Sequence, residues 1–169
     1  MAADGGWNET GAESIMDHKQ FELANRLFFR LYQASNQLHK TGTRALGDVG
    51  ATTQQWAVLG ALARPGVIEL GLTVKELIEF LLLSRQNLTA VIDRLEERGW
   101  VERVKDPDDG RSRRIRLTNL GRKVWADMHD RIDTFYSLAL AGFDDGERDE
   151  FHRLLNKLKL AFCAMSSED

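Results

Sequence analysis

Apolar residues recur at helical spacing toward both ends of the chain and change rhythm between them. From Asp17 to about Lys40, the residues Phe21, Ala24, Leu27, Phe28, Leu31, Tyr32, Ser35 and Leu38 share one face, and Leu23 and Phe29 widen the band. Thr41-Gly42 reads as its break. A helix apolar on more than one side needs a partner beyond its own small domain. A second helix starts near Thr52 or Thr53 and buries Trp56, Leu59, Gly60 and Leu62-Ala63. Arg64-Pro65-Gly66 stops it. Residues 67–72 are apolar and β-tolerant, which suggests a short strand able to pair with a later hairpin.

The middle of the chain, residues 72–121, carries the densest local signals. Thr73 and Glu76 have the spacing of a capping box at the start of a short helix with Val74, Leu77, Ile78 and Leu81 on its apolar side. After a turn at Leu82-Leu83, Ser84 caps a second helix. In it Leu88, Val91, Ile92 and Leu95 form a buried stripe, Arg85, Gln86, Asn87, Thr89 and Ala90 an exposed start, and Gly99 the end. Residues 100–104 read as a strand, 106–110 as turn chemistry and 113–117 as the return strand, with Ile115 and Leu117 facing inward. Thr118 caps a long helix whose apolar face is Val124, Trp125, Met128, Ile132, Phe135 and Leu138-Ala139, ended by Gly142. Asp144 and Glu147 open a last helix with Phe151, Leu154, Leu155, Leu158, Phe162 and Met165 in register.

The predicted fold is mainly α with a small β-hairpin wing: a winged helix-turn-helix plus N- and C-terminal dimerisation helices. Residues 1–16, polar and glycine-containing, are a mobile N-terminal segment in which Trp7 is the residue able to dock. Residues 17–45 form a dimerisation helix, 46–118 the DNA-binding region and 119–169 further dimerisation helices.

Charge sharpens this picture. The whole chain carries −3, yet residues 84–123 hold eleven basic and seven acidic side chains, a local +4 that leaves −7 elsewhere. One basic face on an acidic body orients a protein on a polyanion. The start of the second helix of a helix-turn-helix reaches base edges in the major groove. There Arg85 suits guanine, Gln86 or Asn87 suits adenine, and Ser84 and Thr89 suit phosphates. In the hairpin, Arg111, Arg113, Arg114 and Arg116 crowd beside a tight turn. Alternation sends Arg114 and Arg116 to the face opposite Ile115 and Leu117, and Arg111 lies nearest the tip, able to enter a narrow minor groove. Asp109, two residues away, is expected to hold the Arg111 guanidinium in a bidentate pair.

Catalysis has no support in the sequence. His18, His39, His129 and His152 stand at no metal-ligand spacing, and there is no phosphate-binding glycine loop or nucleophile elbow, so no catalytic residue, metal or cofactor is assigned. No apolar run suits a membrane span and the N-terminus lacks a secretory pattern, which makes a cytoplasmic protein the expectation. A single cysteine, Cys163, excludes a disulfide framework within one chain.

The residues Leu72-Thr73, Glu76-Leu77, Ser84, Asp93-Arg94-Leu95-Glu96, Gly99, Val101 and Arg103 resemble the MarR family of bacterial transcription regulators. So do Asp106-Pro107-x-Asp109-x-Arg111 and Leu117-Thr118-x-x-Gly121, the most specific part. The resemblance implies a homodimer built from intertwined terminal helices, with recognition helices about one DNA turn, roughly 34–36 Å, apart. It implies a pseudo-palindromic double-stranded operator and a small aromatic carboxylate or phenol that releases it. Repression is the expected sign of regulation. Trp56 lies near where the family's effectors bind, and His18, Lys19 and Arg26 are candidates to neutralise a carboxylate. Two features depart from the family: Ala90 stands where many members have arginine, and the connector at residues 66–71 is slightly long. The alternatives are a redox-responsive regulator using Cys163 and a winged-helix module that binds protein.

Overall fold

The computed structural model describes residues 16–166, so most of the expected N-terminal segment, Trp7 included, lies outside the described residues. The chain divides into two units, one running through Lys40 and the other starting at Thr41. The first contains most of helix α1 (His18–Ala45). Along it Phe21, Leu23, Leu27, Phe28, Phe29, Tyr32 and Leu38 are exposed, Phe29 and Tyr32 to 67% each. Large apolar groups in a contiguous array on a surface are the informative departure from ordinary burial.

The second unit begins with the last turn of α1 and continues through α2 (Thr53–Leu62), β1 (Leu72–Thr73), α3 (Val74–Leu81), α4 (Arg85–Glu97), β2 (Val101–Lys105), β3 (Arg113–Leu117), α5 (Asn119–Ala139) and α6 (Asp145–Met165). Its core is one cluster. Val58, Leu59 and Leu62 of α2, Leu77 of α3, Leu88, Ile92 and Leu95 of α4 and Ile115 of β3 are each fully buried. Each such side chain contributes roughly 1.5–3 kcal/mol of transfer free energy, so α4 is held to this core by the Leu88-Val91-Ile92-Leu95 stripe. The sheet is antiparallel in the order β1-β3-β2. β1 contributes only two residues, Leu72 opposite Ile115 and Thr73 opposite Arg114.

The caps explain where the helices start. Ser84, Thr118 and Asp144 each accept the N–H three residues on, and Thr73 with Glu76 and Asp144 with Glu147 close reciprocal capping boxes. Thr52 with Gln55 forms a further box, which fixes the start of α2 at Thr53. At the other end of α4, Gly99 takes φ +68, and the N–H of Trp100 bonds the Leu95 carbonyl, a left-handed close that glycine adopts without penalty.

Two expectations are corrected. α1 does not break at Thr41-Gly42 but continues to Ala45. Gly42 is buried, and a Cβ there would stand 2.6 Å from Thr53 Cγ2. Its absent side chain admits the start of α2, and mid-helix glycine costs only about 1 kcal/mol. Second, residues 67–70 turn instead of extending. The Arg64 carbonyl accepts from Val67 and Ile68, and the Val67 carbonyl accepts from Gly71 at 2.6 Å, so the strand begins only at Leu72. The turn after α3 falls at Leu82-Leu83 as expected, and Leu82 makes it at φ 53, ψ 38. A leucine in the left-handed region costs roughly 1–2 kcal/mol, and this one is the sole non-glycine with positive φ among the described residues.

α6 buries no residue, and its Phe151, Leu154, Leu155, Leu160, Phe162 and Met165 remain exposed, as does Leu138 of α5. No helix is long and apolar enough to cross a membrane among the described residues.

Candidate nucleic-acid interface

The start of α4 follows from its cap. The Ser84 hydroxyl accepts the N–H of Asn87 at 3.2 Å, which orients the first turn. Leu88 turns inward at 0% exposure, leaving Arg85, Gln86, Asn87, Thr89 and Ala90 exposed on the outer side. The arrangement offers a guanidinium and two side-chain amides at the positive end of a helix. Thr89 is less available than its position suggests. Its hydroxyl donates to the Arg85 carbonyl at 2.8 Å, so its outward face presents lone pairs and must rotate before it donates to a phosphate.

The wing is a five-residue ladder with Val101 opposite Leu117, Glu102 opposite Arg116, Arg103 opposite Ile115, Val104 opposite Arg114 and Lys105 opposite Arg113. Side chains organise its tip. Asp106 Oδ1 accepts the N–H groups of Asp108 (2.9 Å) and Asp109 (3.3 Å). Asp109 Oδ1 accepts the backbone N–H of Arg111 at 2.9 Å. This corrects the bidentate pair expected between Asp109 and the Arg111 guanidinium. A carboxylate on so short a stem meets the amide two residues on before it can meet the end of a long side chain. Asp109 therefore shapes the turn, and the Arg111 guanidinium has no ion-pair partner among the described residues.

The arginine cluster divides by register. Arg103 reaches back to α4, bonding Asp93 at 2.7 Å and Glu96 at 2.9 Å. Arg116 pairs with Glu102 across the ladder at 2.7 Å. Arg114, only 16% exposed, bonds Asp106 at 2.8 Å, Glu76 at 3.1 Å and the Gly71 carbonyl at 3.1 Å. These three cations are neutralised within the protein. Lys105, Arg111 and Arg113 are exposed and have no ion pair among the described residues. Lys105 escaped the sequence reading because its place opposite Arg113 depends on register, which the hairpin turn sets.

The two carboxylates that hold Arg114 titrate low. The Arg114 hydrogen bond, with help from the Asp108 and Asp109 amides, holds Asp106 below the ordinary carboxylate range. For Glu76, burial pushes the other way, but bonds from Thr73 and the Arg114 charge leave the net shift downward. A depressed folded pKa stabilises at pH values above the unfolded one, and that contribution disappears as pH falls through the folded value.

Away from this face, Trp56 on α2 is half-buried and packs edge-on to Phe135 (6.0 Å between centroids) and tilted against Tyr136 (5.6 Å). Burial raises the pKa of the Tyr136 phenol. His18, Lys19 and Arg26 lie exposed on the separate N-terminal unit, where His18 meets Glu22 at 3.4 Å. Cys163 is partly buried on α6.

Known proteins share this fold. A family model described as MarR family matches residues 49–112. The chain is 50% identical over 142 residues to the transcriptional activatory protein BadR of Rhodopseudomonas palustris (strain ATCC BAA-98 / CGA009), covering 83% of this chain and 79% of BadR. It is 31% identical over 140 residues to the transcriptional regulator HosA of Escherichia coli O111:H-, covering 80% of this chain and 96% of HosA. The solved structure of reduced AbfR bound to DNA superposes with a TM-score of 0.72 at 28% identity, over 87% of this chain and 99% of AbfR. Both named relatives are called regulators of transcription, and neither name describes a catalysed reaction. With its winged helix-turn-helix and these relatives, the chain belongs to the MarR family of DNA-binding transcriptional regulators.

Proposed function

We propose that the chain acts in the cytoplasm as a homodimer that reads a pseudo-palindromic double-stranded operator. α4 of each copy lies in a major groove, with Arg85, Gln86 and Asn87 toward base edges and Ser84 and Thr89 toward phosphates. The wing follows the flank through Lys105, Arg111 and Arg113, with Asp109 shaping the turn that presents them. The observation that carries this reading is the partition of wing cations: Arg103, Arg114 and Arg116 are consumed by carboxylates, whereas those at the tip are exposed and have no ion pair among the described residues. Replacing Arg111 by alanine is expected to cost about 1–3 kcal/mol of operator affinity at matched salt and to relax preference at the operator flanks. Unchanged affinity in a titration would remove the wing from the DNA interface. Binding should also weaken steeply with salt, as counterion release requires.

The exposed apolar arrays of α1 and α6 support dimerisation, since each leaves a row of large apolar side chains at the surface, the kind of patch that marks an interaction face. The sequence suggested repression. The name of the relative with 50% identity, a transcriptional activatory protein, supports activation for this chain. The same dimer serves either sign according to where its operator lies relative to the promoter, and a promoter fusion in cells with and without the protein reads the sign.

For the effector, an aromatic carboxylate or phenol, Trp56 with the edge-on Phe135 and tilted Tyr136 supplies aromatic surface. His18, Lys19 and Arg26 enter on charge alone. A ligand switches such a dimer only by binding its DNA-competent and incompetent forms unequally. Trp56→Ala and Arg26→Ala should therefore weaken effector-induced release while leaving operator binding in place. An unchanged ligand response in both variants would discard these residues.

A further inference from the structure

We propose that Arg114 is a positioning residue for DNA recognition: it clamps the wing turn to the start of the helix-turn-helix and so sets the offset between wing tip and recognition helix. The proposal rests on the reading that the wing touches DNA. One guanidinium joins three segments. Its Nη1 donates to Asp106 Oδ2 at 2.8 Å, and Asp106 Oδ1 meanwhile holds the Asp108 and Asp109 amides of the turn that presents Arg111. Its Nη2 donates to Glu76 Oε2 at 3.1 Å, the same oxygen that accepts the Thr73 N–H at 2.7 Å in the capping box of α3. Nε and Nη2 both reach the Gly71 carbonyl, at 3.3 and 3.1 Å, just before β1.

The clamp has work to do because backbone pairing leaves the wing weakly attached. β1 gives the hairpin a third strand of only two residues, and a two-stranded hairpin alone is marginal. The grooves of DNA impose a fixed offset, so a wing that swings delivers its tip cations with an entropic loss. Arg114 and Asp106 are nearly buried, at 16% and 7% side-chain exposure, so each requires the other as a partner. Neither is placed to meet DNA as freely as Lys105, Arg111 or Arg113.

The test uses the full-length chain, a duplex selected from random double-stranded DNA, and the same duplex with its flanks randomised. The ratio of the two affinities at matched salt measures flank discrimination. Arg114→Gln is expected to lower that ratio about tenfold, within the range of a lost base or groove contact. Arg111→Ala should then cost at most about twofold more, because a tip that is no longer delivered cannot be lost again. Glu76→Gln is the sharper variant. Glutamine still closes the capping box but offers Arg114 a neutral acceptor in place of a charged one, roughly half as strong, and removing a negative charge should by long-range electrostatics tighten binding to a polyanion. Positioning predicts that flank discrimination falls nonetheless.

Additive losses for Arg114→Gln and Arg111→Ala would overturn the proposal while leaving the wing on DNA. So would a Glu76→Gln chain that binds more tightly with discrimination intact. If Arg111→Ala alone leaves discrimination unchanged, the wing reading fails and the proposal falls with it. Thermal melts check that each variant folds. If Arg114→Gln does not fold, Glu76→Gln decides alone, by the same fall or persistence of discrimination.

Discussion

Replacing Leu154 by glutamate on α6 is expected to leave each chain folded yet to lower operator affinity by roughly 10²–10⁴-fold, the range lost when two linked binding events become separate ones. Leu154 is 47% exposed on a helix with no buried residue. In a lone chain such a surface change alters stability by about 0.5 kcal/mol or less. In the proposed dimer the same position faces a second copy, and an uncompensated carboxylate there opposes association by several kcal/mol. The contrast separates the two cases. Light scattering on the purified variant should report a monomer, its melting curve should stay cooperative, and an operator titration on the same sample should show the loss. A variant that remains dimeric with full affinity would mean that α6 covers its apolar side chains in some other way.

The second large effect is expected at Gly121, where alanine should destabilise the fold by about 3 kcal/mol, the upper part of the usual cost of overpacking. A Cβ at this position would stand 1.9 Å from the Trp100 carbonyl oxygen and 2.8 Å from its carbon. Both are backbone atoms and cannot rotate aside. The close approach is built from both sides. The Thr118 N–H donates to the Trp100 carbonyl at 3.1 Å, and the Thr118 hydroxyl donates to the Gly99 carbonyl at 2.6 Å while accepting the Gly121 N–H. The first turn of α5 thus rests on the residue that begins the wing. This gives the Leu-Thr-x-x-Gly spacing a physical reason: threonine caps the helix, and the glycine lets it touch the strand base. Urea denaturation measures the loss, with Gly142→Ala as the control, since a Cβ there meets nothing within 4 Å. Equal midpoints for the two variants would refute the argument.

The arginine hairpin shows how far a linear reading carries and where it stops. Four arginines beside a turn announced a basic wing, and alternation correctly sent Ile115 and Leu117 inward. Alternation did not say which cations were free. Arg114 and Arg116 do leave the face of Ile115, yet both are captured by carboxylates. Glu76 lies 38 residues from Arg114 along the chain, so no local spacing reports the pair. The recognition helix was more legible. Ser84, the inward stripe and Gly99 obey rules that span three to seven residues, and the structure keeps all of them.

Glycine marks the same boundary. At Gly99 the helix-stop rule holds because the cause is local, a left-handed backbone. At Gly42 the same residue type lies inside a continuing helix because Thr53 needs the space. By itself, then, the sequence determined the helices with their caps, the inward stripe of α4, the wing hairpin and the basic face, since each follows from hydrogen bonds and side-chain periods within a few residues. Only the tertiary structure decided that α1 runs through Gly42, that Asp109 holds an amide and that Arg114 bridges wing and helix. Those outcomes depend on atoms brought together from distant parts of the chain, where packing space and the nearest available partner outweigh local propensity.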